Sequence, residues 1–410
     1  MHWDLTFPWL TLGNVFAKNV GWIQWYEYTG VFGGSLWVLM VNILWLQSIK
    51  YFADLNEKKI LLKKFGTAFF SSLFPICISY FISTATATAT ATASASATAT
   101  VVIVQPNIDP YTEKFSGDYM EQVEKMFALA SEKVDSTTDY LIFPETALQE
   151  NIWENNMEPS TSLQFIQKYI KQFPKLKVVI GANSGRIYMA NEQPSATAHL
   201  SKLDNMYYDD YNTALQLDSS EKIQIYHKSK LVPGVEMMPF PWLLNWLGDV
   251  AIKLGGTNCS YGIQDERSVF ISSDSSIKIA PVICYESIYG EYVSEYIKKG
   301  AQFICIITND GWWGDTPGCR QHLNYARLRC IETRREIVRC ANTGISCFID
   351  ERGNVFQSTE WWKSAVIKQN VKLKNNTTFY VEHGDYIALI AVFLFAITIL
   401  YGLFLRFFGL

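Results

Sequence analysis

Ile277-Lys278-Ile279-Ala280-Pro281-Val282-Ile283-Cys284-Tyr285-Glu286-Ser287 reads as a hydrophobic strand that delivers a cysteine to the mouth of a helix. Ile277, Ile279 and the Val282-Ile283 pair mark the strand. Ile288, Tyr289, Tyr292, Val293, Tyr296 and Ile297 then recur at helical spacing until Lys298-Lys299-Gly300 stops the helix. Cys284 sits at the junction, where the positive end of a helix dipole would favour thiolate. A small buried core cysteine is the plain alternative.

Outward from this stretch, short apolar runs alternate with helical ones. The runs Val101–Val104, Tyr140–Phe143, Val178–Ile180, Phe303–Ile307, Ile337–Val338 and Ile345–Ile349 read as strands. Residues 117–133, 160–172, 288–299 and 319–336 read as helices. That alternation predicts one α/β domain over 101–374, large enough for a single core.

The flanks are a different material. Across the 410 residues, 49% are hydrophobic, 15% aromatic and only 18% charged, which leans toward a membrane. Gly30–Ile49, Gly66–Ile82 and Ile387–Leu405 carry no charge, and a span needs roughly 20 apolar residues. We therefore expect transmembrane helices at 30–49, 66–82 and 387–405, with Pro75 kinking the second. Lys50, Lys58, Lys59, Lys63 and Lys64 make the loop 50–65 cytoplasmic by the positive-inside rule, which puts the large domain on the opposite face. Residues 1–29, rich in Trp and Tyr, read either as an interfacial segment or as a partly buried surface one. The Thr-Ala and Ser-Ala tract 83–100 offers no face to a core and is expected to be a linker, as is 375–386.

A net charge of −4 excludes an electrostatic case for nucleic acid. The eight cysteines form no CxxC pair and the five histidines are scattered, so no metal site or cofactor motif is spelled out. Three strand ends present chemistry. Glu145 follows Leu141-Ile142-Phe143-Pro144, Lys228 follows Ile225-Tyr226-His227, and Cys284 is the third. Base, electrophilic stabiliser and nucleophile on three strand ends make a workable acyl-transfer site. Solvated surface roles for Glu145 and Lys228 are the alternative. His227 and His322 show no evident Asp or Asn partner, and His227 reads as structural or solvated. The Trp312-Trp313 pair suits packing or an acyl groove equally, and the arginines at 320, 327, 329, 334, 335 and 339 suit helix-face and ion-pair roles.

Phe143-Pro144-Glu145, Tyr226 to Pro233, Ile283-Cys284-Tyr285-Glu286, Thr308-Asn309-Asp310-Gly311-Trp312-Trp313-Gly314 and Gln321-His322 to Arg335 together resemble the carbon-nitrogen hydrolase (nitrilase) superfamily. Within it they resemble the apolipoprotein N-acyltransferase branch, which is membrane-bound. The resemblance implies an αββα sandwich flanked by transmembrane helices, with Glu145, Lys228 and Cys284 as catalytic residues. It implies Glu236, Tyr285 and Glu286 as supporting site residues. It also implies a phospholipid acyl donor, a diacylglyceryl-cysteine apolipoprotein acceptor, no cofactor, and a bacterial inner membrane with the catalytic domain on the periplasmic side. Val232-Pro233-Gly234-Val235-Glu236 departs from the branch's Val-Pro-Phe-Gly-Glu, and members carry more spans than the three apparent here, so several would precede this sequence. A membrane-tethered amidase of small amides and a non-enzymatic scaffold on the same fold are the rival readings. Spans on both sides of the domain set the first aside, and the intact residue types the second.

Overall fold

A computed structural model describes residues 6–52, 58–92, 97–114, 116–202, 205–220, 222–237 and 261–408. Trp3 of the aromatic lead-in, Cys259, the middle of the lysine loop and residues 93–96 of the Thr/Ala tract lie outside the described residues.

Two sheets stack face to face between helical layers. In the first sheet, β1 (Thr98–Gln105) is paired antiparallel with β14 (Ala365–Lys372) and parallel with β2 (Tyr140–Ile142). β4 (Lys177–Ile187), β6 (Tyr207–Leu217) and β5 (His199–Leu200) follow in order, with β3 (Leu148–Trp153) on β4 and β7 (Gln224–His227) on β6. The second sheet runs β13 (Val355–Phe356), β12 (Cys347–Ile349), β11 (Ile337–Ala341), β10 (Phe303–Thr308), β9 (Lys278–Ile283) and β8 (Phe270–Ile271).

Strand alternation sorts β1 between two cores. Val101 and Ile103 face the second sheet, on the side where Tyr140 packs edge-on against Phe303, in the core that also holds Ile279, Cys305 and Ile307. Val102 and Val104 point the other way, onto α3 (Tyr119–Ala130) and α4 (Thr161–Ile170) through Val123, Phe127, Leu163 and Ile166. The second sheet's outer face is covered by α5 (Gly290–Lys298) and α6 (Pro317–Thr333), through Tyr292, Tyr296, Ala326 and Cys330. The αββα sandwich is thus present, and the strands and helices expected from periodicity overlap observed ones, although β4 runs on to Ile187, well past the expected Val178–Ile180.

The membrane-length helices are α1 (Tyr26–Phe52), α2 (Lys58–Thr92) and α8 (Tyr386–Phe408). All three are long and apolar enough to cross a bilayer. Gly30 breaks the first at φ 58°, and a Cβ there would lie 2.2 Å from the Tyr380 ring. That close approach docks α1 onto α7 (Phe379–His383), where Thr378 caps the helix by accepting from Val381 N at 3.1 Å. The expected linker 375–386 therefore holds a helix whose Tyr380 and Val381 are buried.

The Thr/Ala tract is likewise no linker where it is described. Alanine is the best helix former and threonine can bond back to an earlier carbonyl, as Thr88 Oγ1 does to Thr84 O at 3.0 Å, so α2 runs on to Thr92. From Thr98 the same alternation serves as strand, because β14 supplies the partner, Thr98 to Lys372 and Thr100 to Asn370. The lead-in is buried along one side and exposes apolar side chains such as Leu10 and Val15 along the other, which suits both of its readings. Three short 3-10 turns at Pro8–Leu10, Leu12–Lys18 and Val20–Trp22 bury Ala17, Val20 and Ile23 against Tyr285, Ile288, Leu328 and Ile331.

Candidate active site

Cys284 opens a five-residue 3-10 turn, Cys284–Ile288, directly after β9. Its φ is +50°, a left-handed conformation that costs a non-glycine residue about 1–3 kcal/mol and persists only where the surroundings enforce it. Glu286 is the first enforcer. Its Oε2 accepts from Ile283 N at 2.8 Å, while Oε1 accepts from Ser229 N, Tyr226 Oη and Tyr292 Oη, each at 2.7 Å. One buried carboxylate thus ties the cysteine turn to the chain segment that carries Lys228. Burial is the largest influence on it and pushes the Glu286 carboxyl upward against these donors.

His322 is the second enforcer. Its Nε2 lies 3.1 Å from the Cys284 carbonyl and 2.9 Å from Ser287 Oγ, which itself donates to that carbonyl at 2.8 Å. Its Nδ1 lies 3.0 Å from Asp310 Oδ1, and Arg339 donates to Asp310 Oδ2 at 2.7 Å. Burial works against the Asp310 charge, but Arg339 and His322 hold its carboxyl well below the usual range. The expectation that His322 has no acidic partner is therefore corrected. Asp310 is twelve residues away in sequence and reaches it only because the turn after β10 packs on α6. His227 also has a partner, Glu154 Oε1 at 2.7 Å, and stacks on Tyr211 with ring centroids 3.9 Å apart.

Glu145, after β2, and Lys228, after β7, meet at 3.0 Å between Oε1 and Nζ. Lys228 Nζ also donates to Glu236 Oε1 at 2.7 Å. Asn212 on β6 donates to Glu145 at 2.8 Å and to Glu236 at 3.2 Å, and Asn309 N donates to Glu145 Oε2 at 3.0 Å. Glu236 Oε2 accepts from Val232 N at 2.8 Å, so the Gly234-Val235 departure still closes the loop on the site. Burial opposes the Glu145 charge, yet Lys228, Asn212 and Lys114 keep its carboxyl below the ordinary range. Burial likewise opposes the Lys228 charge, and Glu145 with Glu236 hold it well above the usual ammonium value.

The thiol of Cys284 is near enough to feel both Glu145 and Lys228. Burial first, and then the Glu145 charge, push it well above the ordinary thiol range. The expectation of a dipole-stabilised thiolate is not met. A turn of five residues carries little dipole, and burial wins.

The other expected site residues separate. Tyr285 points away, packing edge-on against Tyr289 (5.5 Å, 78°) within the cluster of the lead-in and α1. Trp313 packs edge-on against His322 and Trp9, at 5.4 and 5.6 Å. Trp312 is 45% exposed and sits edge-on to Tyr111. Sequence reasoning missed Lys114 and Asn212. Lys114 is 4% exposed and bonds the Thr146 hydroxyl beside Glu145. Its only signal was a lysine in a Pro-rich loop. Asn212 was hidden because Tyr207-Tyr208-Asp209-Asp210-Tyr211-Asn212-Thr213 is too polar to read as a buried strand. The arginines divide, with Arg329, Arg335 and Arg339 fully buried. The seven cysteines among the described residues are free thiols.

Between the spanning helices and the sandwich lies a cavity of about 430 Å³. Val31, Phe32, Ala388, Leu389 and Val392 form its apolar wall, and Lys230, Arg267 and Tyr289 line its polar end.

The sequence matches the carbon-nitrogen hydrolase family model over residues 100–378 and the apolipoprotein N-acyltransferase N-terminal domain model over residues 1–44. It is 32% identical over 397 residues to the apolipoprotein N-acyltransferase of Chlorobaculum tepidum, covering 94% of this chain and 70% of that protein. To the Pasteurella multocida apolipoprotein N-acyltransferase it is 29% identical over 286 residues, covering 69% of this chain and 50% of that one. The crystal structure of Saccharomyces cerevisiae Nit3, described as a member of branch 10 of the nitrilase superfamily, aligns with a TM-score of 0.48 at 17% identity, over 68% of this chain and 93% of that one.

Proposed function

Because this chain belongs to the carbon-nitrogen hydrolase family and, within it, to the apolipoprotein N-acyltransferases, we propose that it moves a fatty acyl group from a phospholipid to the α-amine of a diacylglyceryl-cysteine protein through a thioester on Cys284. The observation that carries the reading is the buried Glu145–Lys228 pair, 3.0 Å apart, whose charges act on a cysteine held in a strained turn.

In the first half-reaction Glu145, ionised at neutral pH, accepts the thiol proton as sulfur attacks the ester carbonyl carbon. The Lys228 ammonium stabilises the oxyanion. The carbon–oxygen bond to the glycerol breaks, and the leaving oxygen takes the proton from Glu145. Lysophospholipid departs and the acyl chain stays on sulfur. In the second half-reaction a neutral α-amine attacks the thioester and Glu145 takes a proton from nitrogen. The carbon–sulfur bond breaks, and Glu145 returns that proton to the departing thiolate, leaving an amide and the free enzyme.

In this reading Glu236 and Asn212 hold Lys228 and Glu145 in place. Trp312, with its ring half exposed, faces the acyl chain, while Trp313 packs behind the nucleophile. The cavity between the spans and the sandwich supports a donor that arrives from the bilayer, and a closed site protects the thioester from water. The lysines at the facing ends of α1 and α2, Lys50, Lys58, Lys59, Lys63 and Lys64, favour a cytoplasmic side there, and so a bacterial inner-membrane protein with its sandwich on the outer side.

The test is intact-protein mass after incubating the detergent-solubilised chain with phospholipid, for the parent and for Cys284→Ala. A gain of one acyl group on the parent alone, discharged by a diacylglyceryl-cysteine peptide, is the expected result. Discharge by water alone, with release of free fatty acid, would instead support a hydrolase.

A further inference from the structure

We propose that Lys114 is a positioning residue of this site, a second buried ammonium whose charge balances Glu236 and keeps the Glu145–Cys284 pair able to exchange a proton. The inference deepens the reading above and rests on Cys284 being the reactive thiol.

The geometry begins with burial. Lys114 comes from the loop between β1 and α3, where its own N donates to Asp109 O at 2.9 Å, and its side chain is 4% exposed. Its ammonium bonds the Thr146 hydroxyl, on the residue after Glu145, and lies 5.8 Å from the centre of the Trp312 ring. With the Asn309 amide turned oxygen-inward, that oxygen accepts from Lys114 at 3.1 Å and from Trp312 Nε1 at 3.3 Å. Asn309 is the residue whose N–H holds Glu145 Oε2. Lys114 therefore reaches both segments that orient the carboxylate.

The charges around the thiol follow from position. Glu145 from the β2 end and Lys228 from the β7 end act on it, as do Lys114 from its loop, Asp310 from the turn after β10 and Arg339 from β11. Asp310 and Arg339 cancel within their own pair, at 2.7 Å. Glu286, two residues from the thiol, is pushed toward its neutral form by burial and engages four donors of its own. That leaves Glu145 and Glu236 against Lys228 and Lys114, two negative groups and two positive. Lys228 already serves both carboxylates. Without Lys114 the site would carry an excess negative charge before any thiolate or oxyanion formed, and each would form in a repulsive field. Burial lowers the Lys114 ammonium to about 8, with Glu145 and Cys284 opposing, so this charge is present at neutral pH and fades in mild alkali.

The experiment measures alkylation of Cys284 by iodoacetamide against pH, read by peptide mass on the full chain in detergent, for the parent, Lys114→Met and Lys114→Arg. Lys114→Met is expected to react about tenfold more slowly at pH 7, the equivalent of about one pH unit, with the gap closing above pH 8 where the parent's Lys114 loses its charge, and Lys114→Arg to stay near the parent at pH 7. A folded Lys114→Met with the parent's profile overturns the proposal. Should Lys114→Met not fold, Thr146→Val decides, since it removes the hydroxyl that seats the ammonium. A shift in the same direction supports the role, and an unmoved profile overturns it. Alkylation needs no lipid, so a shifted profile in a chain that forms no acyl adduct would sink the acyltransferase reading and leave this one standing.

Discussion

Replacing Glu286 separates architecture from chemistry at this site. Its carboxylate accepts four hydrogen bonds, two from the backbone nitrogens of Ile283 and Ser229 and two from the hydroxyls of Tyr226 and Tyr292. In Glu286→Ala the two tyrosines can still bond one another, as they already do, but the two backbone N–H groups lose their partner in a fully buried place. A stranded buried donor costs about 1–3 kcal/mol, so the pair costs roughly 2–6 kcal/mol. At roughly 2–4 °C per kcal/mol for a domain of this size, the melting temperature in detergent should fall by about 10 °C. Glu286→Gln keeps one oxygen and turns an amide N–H₂ toward Ile283 N–H, an estimated loss of about 1–3 kcal/mol. Because Ser229 is the residue after Lys228, releasing it should also slow acyl loading of Cys284 by about 10²-fold in the alanine variant, the penalty for a misplacement near 1 Å. A Glu286→Ala protein that melts within about 2 °C of the parent would refute the architectural role. A Glu286→Gln protein that melts normally yet loads no acyl group would mean that the carboxylate acts in the chemistry itself.

His322→Ala removes the link between the Cys284 carbonyl and Asp310, so loading of Cys284 should slow by about 10-fold or more at unchanged donor KM, with partial rescue in His322→Gln; equal loading by all three proteins would show that the turn holds itself. Burial, only partly offset by Arg329, raises the Glu332 carboxyl to about 7. A raised native value means that the folded state binds the extra proton, so this contribution is complete below the unfolded value of about 4.3 and is lost as pH climbs through 7. The melting temperature should therefore fall between pH 5 and pH 8, and Glu332→Gln should flatten that part of the curve; an unchanged slope would count against it. Gly30→Ala should lower the melting temperature by several degrees, because φ 58° and the Tyr380 ring both exclude a Cβ, and a variant as stable as the parent would mean that the α1–α7 junction yields easily.

The secondary structure around Cys284 and the three membrane-length helices were legible because periodicity and length are local properties. So were Glu145, Lys228 and Cys284 as candidates, since each stands at the end of an apolar run. The Thr/Ala tract was not legible, because alanine favours a helix and threonine a strand, so their alternation decides for neither. Only β14, some 270 residues on, decides the strand half.

The chain alone therefore determined its fold class, its attachment to a membrane and the three groups that could carry acyl transfer. Those depend on hydrophobic pattern and on which residues follow it. The tertiary structure alone decided what charge each group bears and what holds it. Glu145 is ionised because Lys228, Asn212 and Lys114 converge on it from three separate segments, against the cost of burial. Cys284 stays a thiol because burial outweighs a turn too short to carry a dipole. His322 and Asp310 meet only when α6 packs against the turn after β10. Distances of 3 Å and dielectric surroundings are properties of the packed molecule, and no spacing along the sequence encodes them.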